Sequence, residues 1–145
     1  MIAVDTNILV YAHRKDSPWH AKAREAVTDL AQGRARWALP WPCVHEFFAV
    51  VTHPRIYAPP SSMESALEQI EAWLESPSVE PIGEDVGYWA ILREAVRSGK
   101  VEGARVHDAR IASLCALHGV RELWSADRDF SRFPDLTTRN PLQSG

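Results

Sequence analysis

Met1-Ile2-Ala3-Val4-Asp5-Thr6-Asn7 opens the chain and sets its architecture. Ile2, Ala3 and Val4 form a short apolar run, Asp5 stops it, and Ile8, Leu9 and Val10 resume it. This is the pattern of a buried strand that delivers a carboxylate to its C-terminal end and turns at once into a helix. In open α/β sheets ligand sites lie beyond the carboxyl ends of the strands, which makes Asp5 a candidate for chemistry. Asp, Thr and Asn also cap helices well, so this stretch alone is read equally well as a helix start.

The arrangement returns near the other end. Glu122-Leu123-Trp124-Ser125 reads as a strand, and Ala126-Asp127-Arg128-Asp129-Phe130 follows it as an acid-bearing helical turn. Between these two stretches, strands alternate with helices. Asn7 to about His13 is a short helix, and a second starts with Ser17 as cap and Pro18 at its first position and runs to Gly33. Arg36 to Leu39 is a strand closed by Pro40 and Pro42. Residues 53–60 form a linker, and Ser61 to Glu64 is a capping box for a helix with Met63, Leu67, Ile70 and Leu74 on one face. On the same helix Glu64, Glu68, Glu71 and Glu75 form an acidic stripe, read as a solvated face or a dock for a basic partner. Val79 to Ile82 is an edge strand because it contains Pro81. Helices follow from Asp85 or Gly87 to Ser98 and from about Ala104 to Leu117, the latter closed by Gly119, and Leu136 to Thr138 is a last edge strand. The alternation predicts an α/β fold: a mostly parallel sheet of four to five strands with helices on both faces.

Two of these helices carry acids where core residues are expected. Cys43 to Val51 is apolar nearly all round, the signature of a buried helix, and Glu46 sits on it without a polar stripe of its own. Asp108 shares a stripe with Ile111, Ala112 and Cys115. If the strand and helix ends converge, Asp5, Glu46, Asp108 and Asp127 meet. Two like charges ~4 Å apart repel by about 4 kcal/mol at an effective dielectric near 20, so four acids in one pocket need a cation. Oxygen-only ligands select hard ions, Mg²⁺ or Mn²⁺, which activate a water and stabilise the leaving oxygen in phosphodiester hydrolysis.

Composition bounds the rest. A chain of 145 residues, 46% hydrophobic and 24% charged, has the size and make-up of one globular domain, here residues 1–142 with a disordered tail at 143–145. Cys43 and Cys115 show no metal-ligand spacing and read as core thiols of a reducing, cytoplasmic compartment. Neither a signal peptide nor a membrane span is evident. Net charge is −3, but residues 56–92 lack Lys and Arg whereas residues 93–139 are rich in them. A local basic rim, with Arg110 and Arg128 as candidate phosphate contacts, is compatible with that asymmetry.

These residues resemble the PIN-domain ribonucleases of the VapC toxin type. The resemblance runs from Ile2 to about Leu142. It is carried by Val4 to Leu9, by Glu46 in the helix after the second strand, by Val106 to Ala112, and by Leu123 to Phe130. It implies a Mg²⁺- or Mn²⁺-dependent endoribonuclease, the toxin of a type II toxin–antitoxin pair. Asp5, Glu46, Asp108 and Asp127 are then the catalytic and metal-binding acids, and Thr6, Asn7 and Ser125 support them. Ser125 stands where the family more often has Thr and keeps the hydroxyl. Asp129 is the near neighbour of Asp127 and reads as a cap or a solvated ion-pair partner. A homodimer and a cognate antitoxin that blocks the site are also implied.

The rival readings are a catalytically idle PIN-like binding module and a DNA-directed phosphodiesterase. A signalling receiver domain needs a Lys at the last strand's end, and Lys15, Lys22 and Lys100 end no predicted strand. A dehalogenase-type phosphatase needs a second acid where Asn7 stands.

Overall fold

A computed structural model of the chain describes residues 1–127 and 129–143, with Asp129 described by its backbone alone. Arg128 and the last two residues of the expected tail lie outside the described residues. The elements run β1 (Ile2–Val4), α1 (Thr6–His13), α2 (His20–Gln32), β2 (Trp37–Pro40), α3 (Trp41–Val51), α4 (Met63–Leu74), β3 (Val79–Ile82), α5 (Tyr88–Gly99), α6 (Val106–Leu117), β4 (Glu122–Trp124) and β5 (Thr137–Arg139). Single 3₁₀ turns occupy Gly103–Arg105 and Asp129–Arg132.

The five strands form one sheet in the order β3-β2-β1-β4-β5, and every pairing is parallel. β1 is central because it has nothing polar to expose: Ala3 and Val4 are fully buried. β3, with its proline, takes one edge and β5 the other, where an unpaired ladder is tolerated. The chain winds from β1 outward through β2 to β3, then returns to the far side of β1 for β4 and β5. The winding direction therefore reverses between β1 and β4. A crevice opens at such a switch point, beyond the carboxyl ends of the two strands. The register sets Val4 opposite Trp124, so the next residues, Asp5 and Ser125, face each other at the sheet's rim.

Helices cover both faces. α1 packs against α2 and α3, α3 against α4, and α5 against α6. The core is built from Ile8, Leu9, Trp37, Leu39, Phe47, Leu114 and Leu123, all with essentially no exposure. Phe47 sets its edge against Trp73, with ring centroids 4.9 Å apart, and against His13 at 5.3 Å. Cys43 and Cys115 are buried free thiols. Gly119, at φ 71°, makes the left-handed turn that ends α6. Among the described residues no helix is long and apolar enough to cross a membrane.

Three local expectations need correction. α2 begins at His20, because Ser17 accepts from the Trp19 N–H and closes a turn before the helix instead of capping it. α4 is capped by Ser62, whose hydroxyl accepts from the Ser65 N–H at 3.0 Å, not by a box at Ser61 and Glu64. Its buried face is Ala66, Ile70 and Trp73, while Met63 and Leu67 face outward, since the bulk of Trp73 decides which side packs. The acidic stripe of Glu64, Glu68, Glu71 and Glu75 is exposed, as a solvated face should be.

Candidate active site

Asp5 follows β1 directly and is the N-cap of α1, as the helix-start reading of the opening stretch has it. Its side chain is buried and held by three donors. The Thr6 N–H reaches Oδ1 at 2.8 Å, the Ser125 hydroxyl reaches Oδ2 at 2.7 Å, and the Cys43 thiol approaches Oδ1 at 3.7 Å. Burial raises the pKa of Asp5 above the usual 3.8; the bonds from Ser125 and Thr6 oppose that shift, and the nearby Glu46 charge adds to it. The thiols behind it stay protonated at neutral pH. Burial and then the Asp5 charge push Cys43 well above its ordinary value and Cys115 to about 12.

Ser125 is the joint of the site. Its hydroxyl donates to Asp5 and accepts from the Asn7 amide at 3.2 Å and the Asp127 N–H at 3.0 Å. One donor and two acceptor positions are all that a hydroxyl has, and all three are used. Asn7 completes the brace by accepting from the Ala126 N–H at 3.0 Å. The ends of β1 and β4 are thereby locked together, and the backbone carrying Asp127 is fixed beside Asp5.

A cleft of about 560 Å³ lies over this joint, and Asp5, Glu46, Asp108 and Asp127 all line it. Glu46 comes from α3 and Asp108 from the first turn of α6. The Thr6 hydroxyl reaches Glu46 Oε2 at 3.4 Å. Contrary to the sequence expectation, Glu46 is exposed: α3 buries Cys43, Val44, Phe47 and Val51, while His45, Glu46 and Ala49 form an open stripe along the cleft. The sequence shows no polar stripe there because Ala49 extends it without announcing it. Arg110 also lines the cleft, but its guanidinium Nε donates to Glu84 across the rim. That pairing holds the Glu84 carboxyl below its ordinary range.

The family model described as PIN domain matches residues 2–136. The chain belongs to the PIN-domain family. It is 36% identical over 138 residues to Ribonuclease VapC48 of Mycobacterium tuberculosis, covering 95% of each chain. It is 34% identical over 142 residues to Ribonuclease VapC43 of the same species, covering 98% of this chain and 96% of that one. Among solved structures, VapBC2 from Rickettsia felis bound to a DNA fragment from their promoter matches with a TM-score of 0.67. That match has 22% identity, covers 97% of this chain and 98% of the other, and shows a common fold.

In this PIN domain the four acids share one cleft, yet among the described residues no three His, Cys, Asp or Glu side chains form a ready-made metal cluster. The donor set nevertheless fits a hard divalent cation. The acids offer oxygen alone, and one of them, Asp5, is a desolvated carboxylate whose ionised form a cation would favour. Sequence reasoning missed four further residues of the cleft: Tyr11, Tyr57, His45 and His107. The two histidines immediately precede Glu46 and Asp108, so adjacency to each acid was the available signal. The tyrosines carry no such mark.

Proposed function

We propose that this PIN domain is a divalent-metal-dependent endoribonuclease, the toxin of a type II toxin–antitoxin pair. The observation that carries the reading is the meeting of Asp5, Glu46, Asp108 and Asp127 in one cleft at the sheet's switch point. The relatives named as ribonucleases support RNA as the substrate. Asp5, Glu46, Asp108 and Asp127 would hold Mg²⁺ or Mn²⁺. When bound, such an ion neutralises the carboxylates, lowers the pKa of a water and stabilises charge on the leaving oxygen.

The chain's own part is to hold the acids ready. Ser125, the Thr6 N–H and Cys43 fix both oxygens of Asp5, and the Thr6 hydroxyl steers Glu46. Asn7 prevents the ends of β1 and β4 from parting. Burial keeps water off Asp5 and so strengthens its interaction with any cation in the cleft. Arg110 and Arg128 are assigned to phosphate contacts, Arg110 after release from Glu84. A cognate antitoxin that covers the cleft is the proposed partner, as the resemblance to the VapC toxins implies. Self-association as a homodimer is proposed with it: the apolar side of α5 buries no residue completely, and Val86 and Trp89 beside it are open.

The test uses the purified chain freed of any partner, a panel of cellular RNAs and sequence-matched DNA. Cleavage of RNA but not DNA, leaving 5′-phosphate ends, is expected with Mg²⁺ or Mn²⁺. It should stop with chelator and in Asp108→Asn. An absence of metal-dependent RNA cleavage would overturn the reading in favour of an idle binding module.

A further inference from the structure

Trp41 is the first residue of α3 and His45 lies one turn on, so both rings stand on the same side of the helix. They are stacked, with centroids 6.5 Å apart and planes at 29°. His45 lines the carboxylate cleft, and Trp41, which does not line it, is the ring stacked on His45. Trp41 keeps 38% of its surface exposed, although it is the kind of side chain a core would take. Its place is prepared from below: a Cβ on Gly83, in the loop after β3, would come within 3.3 Å of Trp41 Cδ1. The bare glycine lets the indole lie close over that loop.

The cleft has a problem that such a shelf answers. Four carboxylates line it, and Arg110, the one Lys or Arg among the described lining residues, is engaged by Glu84. Without a bound cation the walls therefore offer a polyanion little attraction, and one divalent ion balances only part of the charge of four carboxylates. Aromatic faces bind nucleobases without charge, and each stacked base contributes about 1–3 kcal/mol in single-strand binders. Unpaired bases splayed onto aromatic side chains are the general way proteins hold single-stranded RNA.

We propose that Trp41 and His45 form a base-stacking subsite, which receives an unpaired nucleobase next to the phosphate at the cation that the carboxylates would hold. The ligand class is an unpaired nucleotide of the RNA substrate, so the proposal rests on the ribonuclease reading. It restricts that reading: the nucleotide beside the cut must be free to leave a helix.

The test pairs protein and substrate changes. Wild type, Trp41→Ala, Trp41→Phe and His45→Ala are assayed on a cleavable RNA oligonucleotide and on copies with one abasic site at each position flanking the cut. Trp41→Ala should raise KM about ten-fold or more, with kcat held within about two-fold, as expected when ground-state and transition-state binding are lost together. Trp41→Phe should recover most of that loss, which separates stacking from misfolding. One abasic position should weaken wild type by a similar factor and cost Trp41→Ala nothing further. Trp19→Ala, which removes another exposed tryptophan, should leave KM unchanged. An unaltered KM in Trp41→Ala, or losses from the abasic site and Trp41→Ala that simply multiply at every position, would overturn the subsite. Failure of wild type to cut any RNA would instead overturn the ribonuclease reading, and the wild-type arm shows which has failed.

Discussion

Removing one oxygen atom, in Ser125→Ala, should loosen the whole site. The hydroxyl donates to Asp5 at 2.7 Å and accepts from the Asn7 amide and the Asp127 N–H. A hydrogen bond to a charged group contributes about 1.5–3 kcal/mol. The two orphaned donors are only part-buried, so water can partly replace the lost acceptor, and each adds up to about 1 kcal/mol. The sum, about 1.5–5 kcal/mol, lowers the melting temperature by roughly 3–20 °C in a chain of this size. The loss should also depend on pH. Ser125 favours the charged form of Asp5, whose pKa burial holds above 3.8. The penalty of losing it is therefore full where Asp5 is ionised and shrinks as pH falls through that raised pKa. Urea unfolding followed by circular dichroism, stepped across pH 3–8, measures both. The loss should be larger where Asp5 is ionised than where it is protonated, by about 1 kcal/mol, the difference between a charged and a neutral hydrogen bond. Equal losses across that range, or a loss below about 0.5 kcal/mol at pH 7, would refute the hydrogen-bonded joint.

Other perturbations have equally definite signs. In Asp5→Asn the cap survives and the buried charge goes. A raised folded-state pKa means that Asp5 contributes stability fully below pH 3.8 and loses it as pH rises through the raised value, so the variant should gain on wild type over that rise. Thermal melts across pH 3–8 check this, and a variant that loses ground as pH rises contradicts it. Glu84→Gln breaks a pair whose side chains are 39% and 37% exposed, so it should cost less than about 1 kcal/mol at pH 7. Because Arg110 depresses the Glu84 pKa below 4.5, that contribution is present above 4.5 and vanishes as pH falls through the lowered value. Urea titrations at pH 7 and in acid read it. Phe47→Ala empties a fully buried site and should cost about 3–5 kcal/mol. The same change opens the surroundings of His13, whose pKa burial lowers, and proton NMR should find His13 titrating closer to 6.5.

Much of this was legible in the sequence where local pattern and chemistry coincide. Ile2 to Asp5 and Glu122 to Asp127 each announce a strand ending in an acid, and Pro81 announces an edge. The parallel sheet and the convergence of four acids on one cleft follow from such marks. Burial on helices was harder to read. Cys43 to Val51 is so uniformly apolar that periodicity does not tell which side faces the core, and Glu46, which that pattern buries, lines an open stripe. On α4 two apolar faces competed, and the one containing Trp73 won. Partnerships across long separations left no trace at all. Ser125 with Asp5 spans 120 residues and Arg110 with Glu84 spans 26, distances at which helix and strand periods carry no information.

If these carboxylates form a divalent-cation site, calorimetric titration of Mn²⁺ into the purified chain at pH 7 will register it. Wild type should bind saturably. Asp5→Asn and Asp108→Asn, still folded by circular dichroism, should bind at least ten-fold more weakly. Saturable binding that survives both substitutions unchanged, or wild type that takes up no Mn²⁺ at millimolar concentration, would rule that site out.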